Sequence, residues 1–494
     1  MSLGNKAKSS VLWNTGFNLF RDVLQFLVMI VLVRMIAPNT YGEFALVTSI
    51  IGFIHVFSFN TFIQHVLQVR DDSKVDYQQH FTFGFFLQAF MFIVTNLIAF
   101  LMEFFHFYDT VSVYLHILSI VFFFELFSEI RRTELQRELD WKRMRILHGI
   151  GLLMGSILAI ALAYAGTGIY ALIIPSFMSN VPFIYEMLVI QKWRPTWQWK
   201  SAEYQETIRF SKKRIISGLM TAGKPLLENS LFVATLGYTQ LGFYNRAIGL
   251  ATLLVNKFAL QLTFSIYPIL TKVEPYTDQF RRIGGLIILF VIWIIAPIAY
   301  VVFTMSSELV LILYGDKWLE VIPYLAPAAI LMALGAVKHV VYSLLLSSHQ
   351  EKLCMYFDSL LLIGTVLLLL FVLPYGVLDY LYAQVLLLFV STLFLFSVSI
   401  YLKVLEIKSV YLAVLPPLLA LAFSGILSHN IFSFEMGFLD SNIIRLIVYS
   451  LLFSILYLGV LRVFFSKSLY TIISYLPGKS ILFKMLVLTS HKDS

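Results

Sequence analysis

The chain has 494 residues, of which 59% are hydrophobic and 13% are charged, with a formal net charge of +8 and a mean hydropathy of +0.83. Soluble globular domains average about 45–50% apolar and about 25% charged residues, so this composition argues against a string of soluble domains and indicates one polytopic membrane unit. Cys354 is the single cysteine, which excludes an intramolecular disulfide. The basic residues lie between apolar runs, where they serve topology better than nucleic-acid binding.

Fourteen apolar runs are predicted to cross a bilayer. A helix needs roughly 20 mostly apolar residues to span the hydrocarbon core. In chain order, the runs cover approximately residues 11–36, 42–68, 80–102, 110–130, 145–164, 168–190, 214–237, 241–269, 283–305, 319–345, 353–373, 376–402, 409–429 and 442–465. The first run follows a basic N-terminus but continues to Ile36, so we expect an uncleaved span rather than a signal peptide.

The connections between these runs alternate between basic and nearly uncharged. One set carries most of the lysines and arginines, including six between positions 131 and 145, whereas the opposite set carries only Lys317. Basic loops remain on the cytoplasmic side of a membrane. The pattern therefore predicts a multi-pass membrane protein with both termini in the cytoplasm and an even number of spans.

The chain also divides internally. The polar segment 191–213 separates six spans from the eight that follow, and it could lie as an interfacial helix. The predicted fold is all-α, with two pseudo-symmetric six-helix lobes and two C-terminal helices. The expected organisation is an N-terminal lobe over 1–190, a cytoplasmic linker over 191–213, a second lobe over 214–402, two additional transmembrane helices over 403–465 and a cytoplasmic tail over 466–494.

Two spans carry a polar stripe with the same spacing, at i, i+4, i+7 and i+11, which places each stripe on one helix face. A charge inside a membrane helix usually faces a protein interior or a watery cavity. Cations on such faces indicate a pathway for an anionic substrate. The first stripe is Asn14, Asn18, Arg21 and Gln25, and the second is Ser217, Thr221, Lys224 and Glu228.

Further motifs carry a family resemblance over nearly the whole chain. The segment 241–247 reads Leu-Gly-Phe-Tyr-Asn-Arg-Ala, positions 314–318 read Tyr-Gly-x-x-Trp, and Arg34 leads into Pro38 and Tyr41-Gly42. These motifs resemble bacterial oligosaccharide flippases (Wzx-like), the polysaccharide-transporter branch of the MOP (multidrug/oligosaccharidyl-lipid/polysaccharide) exporter superfamily. Family members often carry an aspartate in the seventh span, where this chain has Glu228.

The resemblance implies a secondary transporter of the bacterial plasma (inner) membrane. It would flip undecaprenyl-pyrophosphate-linked oligosaccharide repeat units from the inner to the outer leaflet by alternating access. The units would serve O-antigen, capsule or exopolysaccharide assembly, with membrane lipids and a polysaccharide polymerase as potential partners. It also implies a groove for the lipid tail along the last two helices. Arginine and lysine suit pyrophosphate, and polar side chains suit sugar hydroxyls. The expected substrate-binding residues are Asn18, Arg21, Gln25, Lys224, Arg246, Lys257 and Gln261.

Several of these residues have a structural alternative. Arg21 could pair with Asp22, and Lys224 could pair with Glu228 one turn away. Arg246 lies near an outer turn and could extend to the membrane interface. The two carboxylates, Asp22 and Glu228, are also the candidates for coupling or gating with Na⁺ or H⁺.

No catalytic residue, metal site or other cofactor is predicted. A phosphate-binding loop is excluded, because Gly478-Lys479-Ser480 has Ile473 where the first glycine is required. A small-molecule or multidrug exporter of the related branch remains an alternative, although its cationic substrates would favour carboxylates over arginine and lysine. A polytopic polysaccharide polymerase or glycosyltransferase is the other alternative, and it would need acid/base or metal-binding carboxylates in a substantial outer loop.

Overall fold

The computed structural model describes residues 3–69, 75–199, 201–256, 270, 272–435, 441–466 and 469–470. Residue contacts divide the chain into two compact units, Met1–Gly242 (unit 1) and Phe243–Ser494 (unit 2). Every regular element in the described ranges is helical. The predicted all-α class is therefore confirmed, whereas the boundaries of the lobes and the linker stay predictions.

Unit 1 is built from long apolar helices and several short ones. α3 continues into a 3₁₀ turn at Gln64–Gln68, and α10 continues into a π turn at Glu186–Ile190. The helices are α1 (Leu3–Met35), α2 (Pro38–His55), α3 (Phe59–Ile63), α4 (Tyr77–Phe104), α5 (Asp109–Ser119), α6 (Val121–Arg137), α7 (Trp141–Tyr164), α8 (Tyr170–Ile173), α9 (Pro175–Met178), α10 (Val181–Tyr185) and α11 (Ser201–Ala251), whose last turns enter unit 2.

Unit 2 continues the helical pattern. A π turn at Thr252–Asn256 follows α11, and 3₁₀ turns lie at Asp316–Val321 and Leu373–Tyr375. The remaining helices are α12 (Asp278–Thr304), α13 (Ser306–Leu313), α14 (Ile322–Ser347), α15 (Glu351–Phe371), α16 (Val377–Tyr401), α17 (Ile407–Glu435) and α18 (Asn442–Phe464).

Local sequence explains several helix starts. Asp76 caps α4, since its carboxylate accepts a hydrogen bond from the backbone N–H of Gln78 at 3.0 Å. Asp140 caps α7 in the same way. Such caps satisfy backbone donors that a helix leaves without partners at its first turn. Pro38 opens α2, where its missing N–H costs nothing.

Eleven helices within the described residues are long and apolar enough to cross a membrane, and the bent pair α2–α3, with an angle of 41°, gives up to twelve. These twelve correspond to twelve of the fourteen predicted runs. The run 214–237 is not among them, because its polar stripe and Pro225 lower its mean hydropathy. The run 241–269 extends beyond the described residues. The count of fourteen therefore stays a prediction.

α11 is not one straight rod. Gly237 adopts φ +82° and ψ 173°, which breaks the helix between two parts. A residue with a side chain would be strained in this backbone conformation, so glycine permits the break. The part before Gly237 packs along α2 and α3. One contact is the hydroxyl of Ser211, 3.5 Å from the carbonyl oxygen of Thr61, and another is Gly218 against Val56.

Two glycines form reciprocal backbone crossings in unit 1. A Cβ on Gly42 would lie 1.9 Å from the carbonyl oxygen of Tyr238, and a Cβ on Gly242 would lie 2.0 Å from that of Pro38. The numbering offset is 200 in both directions, from 42 to 242 and from 38 to 238. Reciprocal contacts of this kind are typical of two elements related by a two-fold axis. The crossing is consistent with the predicted duplication, which stays a prediction.

Candidate substrate-binding site

The first polar stripe lies on α1 and includes an ion pair. The Arg21 Nη2 atom lies 3.0 Å from Asp22 Oδ1, and 39% of the arginine side chain remains exposed. Asn18 is half-buried and Gln25 is exposed. Arg21 therefore forms the expected ion pair with Asp22, and its guanidinium still has N–H donors that could bind a ligand.

α7 supplies a cation to the same stripe. The Nε of Arg145 donates a 2.6 Å hydrogen bond to Oδ1 of Asn14, and the guanidinium lies 5.1 Å from the centre of the Phe17 ring. Sequence reasoning assigned Arg145 to a basic loop and missed this role. Since α7 begins at Trp141, Arg145 lies one turn inside the helix. Only the three-dimensional packing of α1 on α7 could reveal the contact.

A cavity of about 380 Å³ opens between these two helices. Aromatic rings form much of its wall and one guanidinium lies at its edge. Flat aromatic faces stack against sugar rings through their C–H groups, while arginine binds phosphate oxygens in a fork geometry. The lining residues are Trp13, Gly16, Phe17, Phe20, Arg145, Ile146 and Gly149.

The charge around this cavity is not balanced. His148 lies in the electrostatic range of Arg21, Arg132 and Arg145, and its Nδ1 is buried without a hydrogen-bond partner among the described residues. Asp22 neutralises Arg21, and the Glu129 carboxylate lies 2.5 Å from Arg132.

Arg145 differs from these two cations, because its hydrogen-bond acceptor is the neutral amide of Asn14. The ammonium of Lys142 lies 5.7 Å from the centre of the Trp13 ring and adds a further positive charge nearby. The excess positive charge suits an anionic ligand.

The second stripe lies on α11 and is organised differently. Ser217, Thr221 and Lys224 are exposed, and the Thr221 hydroxyl donates to the Ser217 carbonyl oxygen at 2.9 Å. No ion pair is recorded for Lys224 within the described part of the chain, so pairing with Glu228 is not the arrangement found. Pro225 has no N–H, so the helical hydrogen bond to the Thr221 carbonyl is missing.

Glu228 is half-buried. Its neighbour Asn229 is buried and donates a 3.0 Å hydrogen bond to the Ala45 carbonyl oxygen of α2. Asn229 thereby fixes the rotation of α11 against α2 within unit 1. This contact determines which face of the helix presents the stripe.

The predicted residue Arg246 lies in unit 2, where two family motifs meet. The Tyr314 hydroxyl lies 3.2 Å from the Arg246 carbonyl oxygen and donates to it, and the Trp318 ring packs edge-on against Phe243 at 5.8 Å. Burial raises the pKa of Tyr314 to about 12, so the phenol stays protonated as a donor. The Tyr-Gly-x-x-Trp motif is therefore a packing element. Lys257 and Gln261 lie outside the described residues.

A second charged group lies between α14 and α15 in unit 2. The hydroxyl of Tyr342 donates to Asp358 at 2.6 Å, and the Lys338 ammonium lies 3.9 Å from the same carboxyl group. The ammonium is also 5.5 Å from the centre of the Phe357 ring. Charged side chains at such depth in membrane helices are candidates for function. The sequence reasoning left these residues outside its candidate set.

Other intramembrane charges in unit 1 form closed networks. Buried Arg131 is hydrogen-bonded to Glu186 and Glu134, and Glu186 also lies 2.8 Å from Arg143. His55, at the end of α2, lies 3.0 Å from Glu125 on α6. Buried charges persist when they are paired in this way, so these groups hold helices together.

Unit 2 contains an apolar groove of about 450 Å³. Helices α12, α14, α16 and α17 contribute its walls. Its surface is almost entirely hydrocarbon and aromatic, which suits an isoprenoid or acyl chain. Representative lining residues are Ile295, Phe303, Leu334, Phe389, Leu393 and Leu418.

The fold and the site together define a multi-pass membrane transporter with an aromatic, arginine-bearing cavity in unit 1 and an apolar groove in unit 2. The chain belongs to the polysaccharide biosynthesis protein family, whose model matches residues 31–323, more than half of the chain.

Two relatives match most of the chain, and one solved structure shares its fold. The chain is 22% identical to an uncharacterized membrane protein in the cps region of Klebsiella pneumoniae, over 72% of this chain and 74% of that protein. It is 21% identical to the lipopolysaccharide biosynthesis protein WzxC of Escherichia coli K12, over 72% and 73% respectively. Its fold is similar to that of the lipid II flippase MurJ in an inward closed conformation, with a TM-score of 0.71 at 12% identity, covering 92% of this chain and 99% of that chain.

Proposed function

We propose that this protein flips lipid-linked oligosaccharides across the membrane for surface polysaccharide assembly. The observation that carries the proposal is the cavity between α1 and α7, where the guanidinium of Arg145 and a wall of aromatic rings share about 380 Å³. A lipid-linked oligosaccharide presents both groups that such a surface binds, a phosphate and pyranose rings. Family membership and the names of the relatives supply the biological context.

The substrate in this proposal is an undecaprenyl-pyrophosphate-linked repeat unit. Its pyrophosphate would contact Arg145 and the exposed part of Arg21, and its sugars would stack on Trp13 and Phe20. The apolar groove of unit 2, to which α17 contributes Leu418, has by itself the chemistry that an isoprenoid tail requires. Each part of the substrate is thereby matched to a surface of its own chemistry.

Transport would proceed from the inner to the outer leaflet of the plasma membrane by alternating access, with both termini in the cytoplasm and an ion gradient as the energy source. Asp22 and Glu228 are the proposed coupling carboxylates. Protonation of Asp22, or Na⁺ bound to it, would release Arg21 from its ion pair and make the guanidinium available to substrate. A polysaccharide polymerase would then use the unit in the outer leaflet.

The coupling step is tested with Asp22→Asn and Glu228→Gln in proteoliposomes that carry a Na⁺ or H⁺ gradient. We expect at least one of the two variants to flip substrate at a rate that no longer responds to the gradient, because an amide cannot take up or release the ion. Full gradient dependence in both variants would show that coupling lies elsewhere.

The proposed function is tested in a strain from which the gene is deleted. We expect lipid-linked oligosaccharide to accumulate in the inner leaflet, surface polysaccharide to be lost, and both phenotypes to revert with the wild-type chain but not with Arg145→Ala. Normal surface polysaccharide without an accumulated intermediate would rule out a non-redundant flippase.

A further inference from the structure

Residues 193–199, here called the Trp segment, are not helical and lie against the first turns of α4. The side-chain amide of Gln78 binds two backbone groups of this segment, one on each side of Pro195 in the sequence. Its Nε2 donates to the Arg194 carbonyl oxygen at 2.8 Å, and its Oε1 accepts from the Thr196 N–H at 2.7 Å. The interfacial helix that the sequence suggested is therefore absent between 192 and 199, since these backbone groups bind α4 instead.

Two further hydrogen bonds extend this attachment. The N–H of Gln198 donates to the hydroxyl oxygen of Thr82 at 2.9 Å, and the Tyr204 hydroxyl donates to the Gln198 carbonyl oxygen at 2.9 Å. Backbone groups that enter a poorly hydrated environment cost free energy unless they are hydrogen-bonded. Side chains of α4 and α11 thus provide hydrogen-bond partners for backbone groups of the Trp segment that would otherwise need water as a partner.

The side chains of the Trp segment continue an aromatic surface of α4. The Trp197 ring lies 5.0 Å from the centre of Phe85 and 6.0 Å from that of Phe86, and Trp199 lies 5.9 Å from Phe86. Despite these contacts, 62% of Trp197 and 65% of Trp199 remain exposed. Two large indoles thus lie open on the surface of the protein.

The surface that these indoles join has the length of a membrane core. α4 exposes one continuous apolar stripe at alternating spacings of four and three residues. From its first to its last residue the stripe is about 27 Å long at 1.5 Å per residue, close to the ~30 Å of bilayer hydrocarbon. The stripe consists of Phe86, Phe90, Ile93, Leu97, Phe100 and Phe104.

Trp197 and Trp199 contact the first residue of this stripe, Phe86, and so lie at one end of the hydrocarbon-length surface. Tryptophan is enriched at that level of a bilayer, because its ring is apolar while its N–H remains hydrated. Arg194 on this segment and Lys192 just before it are exposed and can attract anionic headgroups.

We propose that the Trp segment is a bilayer-interface anchor, in which the indoles of Trp197 and Trp199 insert at the boundary between headgroups and acyl chains of an anionic phospholipid leaflet. The proposed anchor requires that α4 crosses the membrane. It does not depend on which substrate the protein transports. It holds the first half of the inter-lobe linker to the membrane surface beside α4, rather than free in the aqueous phase.

The anchor is tested by tryptophan fluorescence of the full chain in liposomes of phosphatidylglycerol and phosphatidylcholine, with or without brominated acyl chains. The two indoles are two of seven tryptophans. We expect the emission lost in Trp197→Phe/Trp199→Phe to be quenched by brominated lipid more strongly than the remaining emission, and to be protected from aqueous acrylamide.

Trp318→Phe is the matched control, because Trp318 is fully buried in unit 2; the emission lost in this variant should resist both quenchers. Gel filtration and thermal unfolding verify the fold, and the two single variants replace the double variant if it misfolds. If acrylamide, and not brominated lipid, quenches the emission of Trp197 and Trp199, the indoles face water or a soluble protein partner and the anchor is wrong.

Discussion

The polar stripes of α1 and α11 have the same spacing but different chemistry. On α1, Arg21 is held by Asp22, and Arg145 from α7 joins the stripe through Asn14. On α11, Lys224 is exposed without a recorded ion pair among the described residues. Two helices can therefore share the spacing of their polar residues while the charged residues at those positions make different contacts.

The difference also extends to the helix backbone. α1 is an uninterrupted helix from Leu3 to Met35, whereas α11 contains Pro225 in its middle and a break at Gly237. A proline inside a helix removes one hydrogen bond and bends the axis. We therefore expect α1 to serve as the fixed wall of a binding site and α11 as the element that changes shape.

The largest expected effect concerns Arg145. Arg145→Ala should lower the initial rate of flipping in proteoliposomes about 10- to 100-fold, because a hydrogen bond to a charged group contributes about 1.5–3 kcal/mol. Arg145→Lys keeps the charge without the fork and should retain an intermediate rate. Arg209→Ala, at an exposed position of α11, is the control. Wild-type rates for Arg145→Ala would remove this residue from the site.

The next prediction separates binding from charge balance. Arg21→Gln should remove the ion pair with Asp22 and slow flipping about tenfold. Arg21→Gln/Asp22→Asn should recover part of the rate, because it removes both charges of the pair. Lys224→Gln/Glu228→Gln should recover nothing relative to Lys224→Gln. Flipping rates in proteoliposomes measure both comparisons. Equal recovery on the two helices would make the stripes chemically equivalent.

A smaller effect concerns the two glycines, Gly42 and Gly242, at the backbone crossings of unit 1. Gly42→Ala and Gly242→Ala should each lower the free energy of unfolding by about 1–3 kcal/mol, because the added methyl group meets a backbone carbonyl. Gly52→Ala, in the same helix as Gly42 but with open space around its Cα, should be neutral or stabilising. Thermal unfolding in detergent measures all three. A loss at only one of the two crossing glycines would contradict their reciprocity.

The smallest effect is expected at Thr221. Its hydroxyl is bound to the Ser217 carbonyl oxygen of its own helix, so Thr221→Ala should change stability by no more than about 0.5 kcal/mol and leave the flipping rate near that of the wild type. A large loss of rate with an unchanged substrate affinity would instead assign this position to the movement of α11.

Hydropathy and loop charge predicted much of this protein. The period and length of the apolar runs yield twelve of the membrane-crossing helices, because a bilayer imposes a length and a composition on each span. The run 214–237 was also predicted as a span, but it is less apolar than the others because of polar residues such as Lys224 and Glu228, and its crossing of the membrane stays a prediction.

The candidate site was predicted only in part. The ion pair of Arg21 with Asp22 could be predicted from the sequence, because the two residues are adjacent in the chain. The contact of Arg145 with Asn14 joins residues 131 positions apart, and no periodicity encodes such a pairing. The Trp segment shows the same limit, since its attachment depends on two side chains of α4 that carry no distinctive motif.

The most direct test of the account is flipping by the purified protein. Lipid-linked oligosaccharide is placed in one leaflet of proteoliposomes, and its arrival in the other leaflet is followed by cleavage with a membrane-impermeant glycosidase. We expect cleavage only when the protein is present, and we expect its initial rate to fall about 10- to 100-fold with Arg145→Ala. Transport of a cationic drug without any movement of the lipid-linked oligosaccharide would contradict it.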